Sequence, residues 1–279
     1  MESNIIKNII ENNIFFIGRI AGIELLTAYD FLNNNELDLP QDLKQLEINA
    51  GIYIKNKESL KVYVNQLINS YKVCTMIGKW PLEGDVYKET GLGQKLILEM
   101  YPDIPRINAR ELEPYYSIDS ESWMSKMQGK KILIIHPFIE TIKKQIPKLD
   151  KIFPGKDWFK DCNFVFLKSP ITCAKNHQNI NWQESYNKFI NELNMVSEEY
   201  DIALIACGGY GMLVSEYIYS NHKKSVIYVG GALQLFFGII GKRWFTNKEV
   251  MSLVNDFWVR PNKEDKPPNY QLIEKGCYW

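Results

Sequence analysis

The chain has 279 residues, of which 46% are hydrophobic, 13% aromatic and 24% charged; this balance suits one large globular domain or two small ones and excludes disordered, collagenous and coiled-coil classes. Lysine plus arginine and aspartate plus glutamate each number 33, so no net field draws the chain to nucleic acid, and an anionic ligand must be held by local groups. The five cysteines form no CxxC pair, no run is long enough to span a membrane, and the start has no basic stretch ahead of an apolar one, so a soluble, cytoplasmic protein with no integral membrane segment is expected.

From the N-terminus, the pattern predicts a strand at 14–18, a helix at 22–32, a second helix at 58–71 and a strand at 73–78. Segment 111–129, with Pro114 and several serines, is the candidate boundary, placed near Ser125. Residues 1–125 then form a less regular α/β region and 126–279 a Rossmann-like one. Beyond the boundary, 131–135, 163–167, 202–206 and 225–229 are short apolar runs rich in β-branched residues, which is how strands buried on both faces read. Segments 140–151, 182–200 and 211–220 between them suit helices, the second with Phe189, Leu193 and Val196 at helical spacing. The alternation calls for right-handed βαβ crossovers, an α/β fold with a mostly parallel sheet, and ligands at the carboxyl ends of the strands. After Trp258 the chain turns polar and proline-rich, and it closes on Cys277-Tyr278-Trp279, whose two aromatics suggest a docked end.

Four stretches carry candidate chemistry. In Arg19-Ile-Ala-Gly22-Ile-Glu24 a strand passes into a helix: Gly22 permits close approach, the helix start offers free N–H groups, and Arg19 offers a fork for phosphate. A plain turn in which Arg19 and Glu24 pair with one another fits equally well. His136 ends a buried strand, where it suits a general base or a satisfied structural residue. Gly208, Gly209, Tyr210 and Gly211 form a glycine-rich strand-to-helix turn, neither GxGxxG nor a Walker loop, that reads as an anion cradle or as tight packing. Cys207 beside it reads as a small buried hydrophobe rather than a nucleophile. Finally, Gly230 and Gly231 lead through Gln234 and Phe237 to Arg243 and Trp244, an aromatic and amide surface beside a cation that suits a base, ribose and diphosphate, with core packing as the alternative for the aromatics. No Asp-x-Asp pair occurs, so no cofactor is assigned and a divalent metal is left open.

Together, Arg-x-x-Gly-x-Glu, Gly-Lys-Lys-Ile-Leu-Ile-Ile-His-Pro-Phe-x-x-Thr, Cys-Gly-x-Tyr-Gly, Gly-Gly-x-x-Gln-x-x-Phe-Gly-Ile-x-Gly-x-Arg-Trp, Trp-Val-Arg-Pro and Gly-Cys-Tyr-Trp span nearly the whole chain. In this order they resemble a glycosyltransferase-like family of bacterial polysaccharide loci and large DNA viruses, whose opening motif is similar to the Arg-x-Gly-Asp-Gly-Glu of GT-D-type glycosyltransferases. Arg19 and Glu24 keep the spacing of that motif, while Ala21, Gly22 and Ile23 stand where it has glycine, aspartate and glycine. The resemblance implies transfer of a sugar from a nucleotide sugar, UDP-linked, to a glycan hydroxyl, with residues 1–125 on the acceptor side. Glu24 is then the expected base and His136 the reserve. Arg19, Gly22, Thr141, Gly208, Gly209, Tyr210, Gly230, Gly231, Gln234, Phe237, Arg243 and Trp244 make up the expected donor-binding set. An S-adenosylmethionine-dependent methyltransferase and a non-catalytic nucleotide- or glycan-binding module are the rival readings.

Overall fold

Short apolar runs that must be covered on both faces dictate the architecture. The structure, a computed structural model, describes residues 2–12, 14–33, 38–81, 88–113, 115 and 122–279. Seven strands, β1 (Phe16–Arg19), β2 (Met76–Lys79), β3 (Arg106–Asn108), β4 (Lys131–His136), β5 (Asn163–Lys168), β6 (Ile202–Ile205) and β7 (Ser225–Tyr228), form one sheet in the order β3-β2-β1-β7-β6-β4-β5. Every pairing is parallel. The α/β, Rossmann-like expectation therefore holds, and it extends past the C-terminal half. Residues on both sides of Ser125 enter the same sheet, because Phe16 of β1 pairs with Val226 of β7. Ser125 itself lies in a 3₁₀ turn, Trp123–Met127, whose Trp123, Met124 and Met127 are fully buried. Pro114 and residues 116–121 of the boundary segment lie outside the described residues.

Alternate residues of each strand serve opposite layers. Ile132 and Ile134 of β4 join one core with α1 (Glu2–Asn12), the 3₁₀ turn 230–237 and the C-terminal segment; Leu133 and Ile135 join the other with α2 (Ile23–Leu32), α4 (Lys57–Lys72), α8 (Trp182–Asn194) and α9 (Gly211–Tyr217). From β1 across β7 and β6 to β4, the connections leaving neighbouring strands go to opposite faces. The exit of β1 leads into α2 on the second layer, that of β7 into the 3₁₀ turn Gly230–Phe237 on the first, and that of β6 into α9 on the second. The exit of β4 enters α6 (Ile139–Gln145) on the first layer.

Where sequence and structure differ, local chemistry gives the reason. The predicted helix 140–151 breaks at Pro147, which lies in a 3₁₀ turn, Ile146–Lys148, separating α6 from α7 (Leu149–Ile152). The predicted strand 14–18 starts at Phe16, the first residue to pair, and Ile14 is half exposed. Residues 73–75 turn back on α4, with Cys74 N–H donating to the Tyr71 carbonyl, so β2 begins only at Met76. Helix 211–220 ends as α9 at Tyr217 and continues as a π-helical turn, Ile218–His222, closed by Lys223 at φ +55°.

Pattern reading passed over α1, α3 (Leu39–Gln45), β3 and α5 (Lys88–Met100), in which Gly91 and Gly93 interrupt the helical signal. Gly93 is there for contact. A Cβ on it would stand 2.6 Å from the backbone carbon of Leu25, so glycine is what lets α5 lie against α2. No helix among the described residues is long and apolar enough to cross a membrane.

Gly93→Ala sets two effects against each other: alanine improves helix propensity by about 1 kcal/mol, and the new methyl meets backbone that cannot rotate away. Overpacking of this kind costs about 1–3 kcal/mol. The variant is expected to be less stable than wild type in urea unfolding; an equal or higher midpoint would show that α2 and α5 are not in this contact.

Candidate active-site cleft

Because β1, β7, β6 and β4 send their connections alternately to opposite faces, the chain parts at the carboxyl edge of the sheet. A cleft of about 760 Å³ opens there, lined by residues that follow all seven strands and by the C-terminal segment. That volume falls in the range of small-molecule sites, roughly 300–1,000 Å³.

Arg19 ends β1 and works as a bridge. Its Nη1 donates to the Val229 carbonyl past the end of β7, and its Nη2 donates to Glu113 Oε1 at 2.9 Å, beyond β3. The guanidinium carbon lies 4.2 Å from the centre of the Trp80 ring, which follows β2. One side chain thus ties the ends of four strands. Glu113 also accepts from the Tyr115 hydroxyl, and Trp80 is held by its indole N–H donating to the Ile20 carbonyl at 3.0 Å. Gly230, at φ +72°, is the residue that passes Arg19, whose Nη1 would lie 3.2 Å from a Cβ there.

Buried tyrosines fix the loops. Tyr71 of α4 donates to the Arg19 carbonyl at 2.9 Å and accepts from Ala21 N–H at 3.0 Å, holding the turn after β1. Tyr63 donates to the Gly209 carbonyl and Tyr228 to the Gly208 carbonyl, at 2.9 and 3.1 Å, holding the turn after β6. These hydroxyls satisfy carbonyls that the open strand ends leave without sheet partners.

Glu24, in the first turn of α2, borders the cleft and is 8% exposed. Burial pushes its carboxyl above the usual range, against a smaller downward pull from the backbone amides of Glu24 and Gly22. His136 also borders the cleft, and burial holds its imidazole down to about 3, so the ring is neutral near pH 7. Its Nδ1 accepts from Phe138 N–H at 2.9 Å, which places the ring proton on Nε2. In this geometry the imidazole of His136 offers an N–H at Nε2 and no free acceptor nitrogen, and the reserve role of general base does not fit it. Burial also pushes the Cys207 thiol up, so it stays protonated, in keeping with a small buried hydrophobe.

Of the expected donor-binding residues, Arg19, Gly22, Gly208, Gly230, Gly231, Gln234, Arg243 and Trp244 line the cleft with Glu24 and His136. Four do not. Thr141 is buried in α6, where its hydroxyl donates to Asp265 Oδ2 at 2.5 Å and anchors the C-terminal segment. Phe237 stacks on Phe159 in the core, with centroids 5.7 Å apart. Gly209 packs beneath Ile52, whose Cγ1 would stand 2.4 Å from a Cβ, and Tyr210 is buried behind it. The glycine turn after β6 therefore serves packing throughout, since a Cβ on Gly208 would meet the Ala50 carbonyl at 2.8 Å, and Gly208 is the glycine of the turn that also borders the cleft. The Arg243 fork is already engaged, donating to the Tyr278 hydroxyl at 2.7 Å and to Glu274.

Sequence reasoning missed Trp80, Arg110, Glu113, Tyr115 and Tyr228, all of which border the cleft. Only the terminal aromatics gave a signal. Trp279 is buried, with its indole N–H donating to the Asp265 carbonyl at 3.2 Å, and Tyr278 lines the cleft beside Trp244. Among the described residues no group of three or more His, Cys, Asp or Glu side chains is arranged to hold a metal ion. No protein-family model, no curated protein and no solved structure matches the chain.

The raised carboxyl of Glu24 has a measurable sign. Its folded value lies above its unfolded value, so the stability it contributes is complete below about pH 4.3 and is lost as pH rises through the folded value. Glu24→Gln, which carries no charge at any pH, is expected to gain melting temperature relative to wild type between about pH 4 and pH 8. A difference that stays flat over this range would place Glu24 in water. Thr141→Val is expected to lower stability by about 1–3 kcal/mol, because Asp265 Oδ2 keeps the Thr141 N–H but loses the hydroxyl and the Asn262 N–H loses its acceptor, readable by chemical denaturation.

Proposed function

We propose that the protein is a glycosyltransferase that moves a sugar from a nucleotide sugar, UDP-linked, to a hydroxyl of a glycan, in surface-polysaccharide or glycoprotein-glycan synthesis. The observation that carries this reading is the placement of one desolvated carboxylate, Glu24, in the same cleft as the Arg19–Trp80 pair, at the carboxyl edge of a parallel sheet. The motif resemblance described above motivates the choice of sugar transfer among the reactions that such an edge accommodates.

In this reaction the acceptor oxygen forms a bond to the anomeric carbon, the bond from that carbon to the diphosphate oxygen breaks, and the diphosphate departs with the electron pair. The acceptor proton must go to a base. Glu24 is suited to that task because desolvation raises its proton affinity toward working pH without removing it from the cleft. Positive charge must meet the departing diphosphate. Arg19, Arg110 and Arg243 are the arginines of the lining, and Trp80 and Trp244 offer indole surfaces for a base or sugar ring. His136 contributes an N–H rather than a base.

A thermal-shift panel of UDP-sugars, free nucleotides and S-adenosylmethionine tests the ligand class, and stabilisation by a UDP-sugar is expected. Glu24→Gln is then expected to fold, to bind the donor, and to lose at least about 10²-fold in transfer rate, the lower range of general-base contributions. Transfer at the wild-type rate by this variant would remove Glu24 from the mechanism. Stabilisation by S-adenosylmethionine alone would replace the reading with methyl transfer.

A further inference from the structure

The cleft is chemically two-sided. Its charged lining residues, Arg19, Glu24, Arg110, Glu113, Arg243 and Glu274, follow β1, β3 or β7. The wall formed by the residues after β4, β5 and β6, together with the end of α3 and the π-helical turn on which the loop after β5 packs, has none, and its histidine, His136, is neutral. Polar side chains on this wall are an imidazole, two hydroxyls, of which that of Thr172 is bonded to the Gly51 carbonyl, and two carboxamides. Gln45 and Asn49 line it half-buried, and neither side-chain amide has a hydrogen bond among the described residues. Ser169 Oγ and His136 Nε2 likewise have no partner there, although both residues are almost fully buried.

The wall is built rather than incidental. Gln45 ends α3, and Asn49 follows four residues later in a π-helical turn, Leu46–Ala50, a local widening found often at functional sites. Gly51 closes this turn at φ +76°, and a Cβ there would lie 2.7 Å from Thr172 Oγ1, so the loop after β5 presses directly on the turn. Thr172 donates to the Gly51 carbonyl at 2.6 Å, Ala174 N–H donates to the Ile48 carbonyl at 2.8 Å, and His177 meets Glu47 at 2.8 Å while stacking on Tyr53. Ala174, Lys175, Gln178 and Asn179 all stand at positive φ. A backbone held this far from its preferred region needs such anchoring, and strain of this kind gathers at ligand sites.

We propose that this wall is a subsite for the hydroxyl groups of a neutral sugar, with Gln45 and Asn49 as its specificity-determining residues and Ser169 as a further hydroxyl of the lining. It rests on the transfer reaction proposed above, for which it supplies the acceptor side. Carboxamides and hydroxyls each donate and accept, which matches neighbouring sugar hydroxyls, whereas a phosphate or a uronate carboxylate asks for a cation that this wall lacks. The acceptor thus lies across the β4–β5 side of the sheet, fed by residues from both halves of the chain, and the charged side is left to the diphosphate.

Saturation-transfer NMR on the wild-type chain, with the neutral methyl glycosides of glucose, galactose, mannose, rhamnose and N-acetylglucosamine as probes and glucuronate and inorganic phosphate as charged comparators, tests this directly. At least one neutral glycoside is expected to bind, and the Gln45→Ala/Asn49→Ala double variant is expected to weaken it about tenfold or more, the scale of losing its hydrogen bonds. Thermal melting checks that the variant folds; if it does not, Asn49→Leu, which keeps the approximate size but neither donates nor accepts, supplies the same readout. Binding by none of the neutral glycosides, or binding that the variants leave intact, overturns the proposal, as does a preference for glucuronate or phosphate that the double variant abolishes. UDP titrated separately on the wild-type chain tells the two readings apart. Glycoside binding without UDP binding removes the nucleotide-sugar reaction and keeps a saccharide site, and UDP binding without glycoside binding removes only this subsite.

Discussion

A parallel sheet has no face to give to water, and this constraint organises the molecule. Both faces of β4, β6 and β7 are apolar, so helices must cover each side, and the connections from neighbouring strands divide between the two layers. Where they divide, the carboxyl ends of the strands lose their covering. The cleft is the consequence of burying the sheet twice, and the site residues are those that happen to follow each strand.

An edge opened in this way leaves backbone groups without sheet partners, and the side chains around the cleft answer to that need before they answer to any ligand. Arg19 illustrates the point. It was legible as an anion fork, yet its guanidinium holds the Val229 carbonyl, Glu113 and the Trp80 ring at once. Tyr71, Tyr63 and Tyr228 do the same work for the turns after β1 and β6. A rigid frame of this kind keeps Glu24 desolvated at a fixed place, and a desolvated carboxyl in a fixed place is what general-base chemistry asks for.

The C-terminal segment belongs to this frame. Asp265 is fully buried and receives Thr141 from α6, Trp279 donates to the carbonyl of the same Asp265, and Arg243 reaches Tyr278 and Glu274. Gly241 lies so close to this segment that a Cβ would meet the Tyr278 carbonyl at 2.6 Å. The tail closes one side of the cleft through packing and hydrogen bonds that no local sequence pattern encodes.

Composition and periodicity alone determined the fold class, because continuous β-branched runs have one stable use and the helical spacing between them has another. They also located the exits of β1, β4, β6 and β7, since glycine, histidine and arginine at the end of an apolar run mark a chain leaving a sheet. What they left open was decided only by tertiary contacts. Thr141 and Phe237 stood in the same motifs as residues of the cleft, and the direction of each side chain, inward to Asp265 or to Phe159, was settled by the layer against which it packs. The strand order was equally out of reach, because the pairing of β1 with β7 joins segments about two hundred residues apart and rests on the burial of the whole sheet. Glu113, Trp80, Gln45 and Asn49 carry no local signature, because each owes its place in the cleft to the strand order that brings its loop to the shared edge.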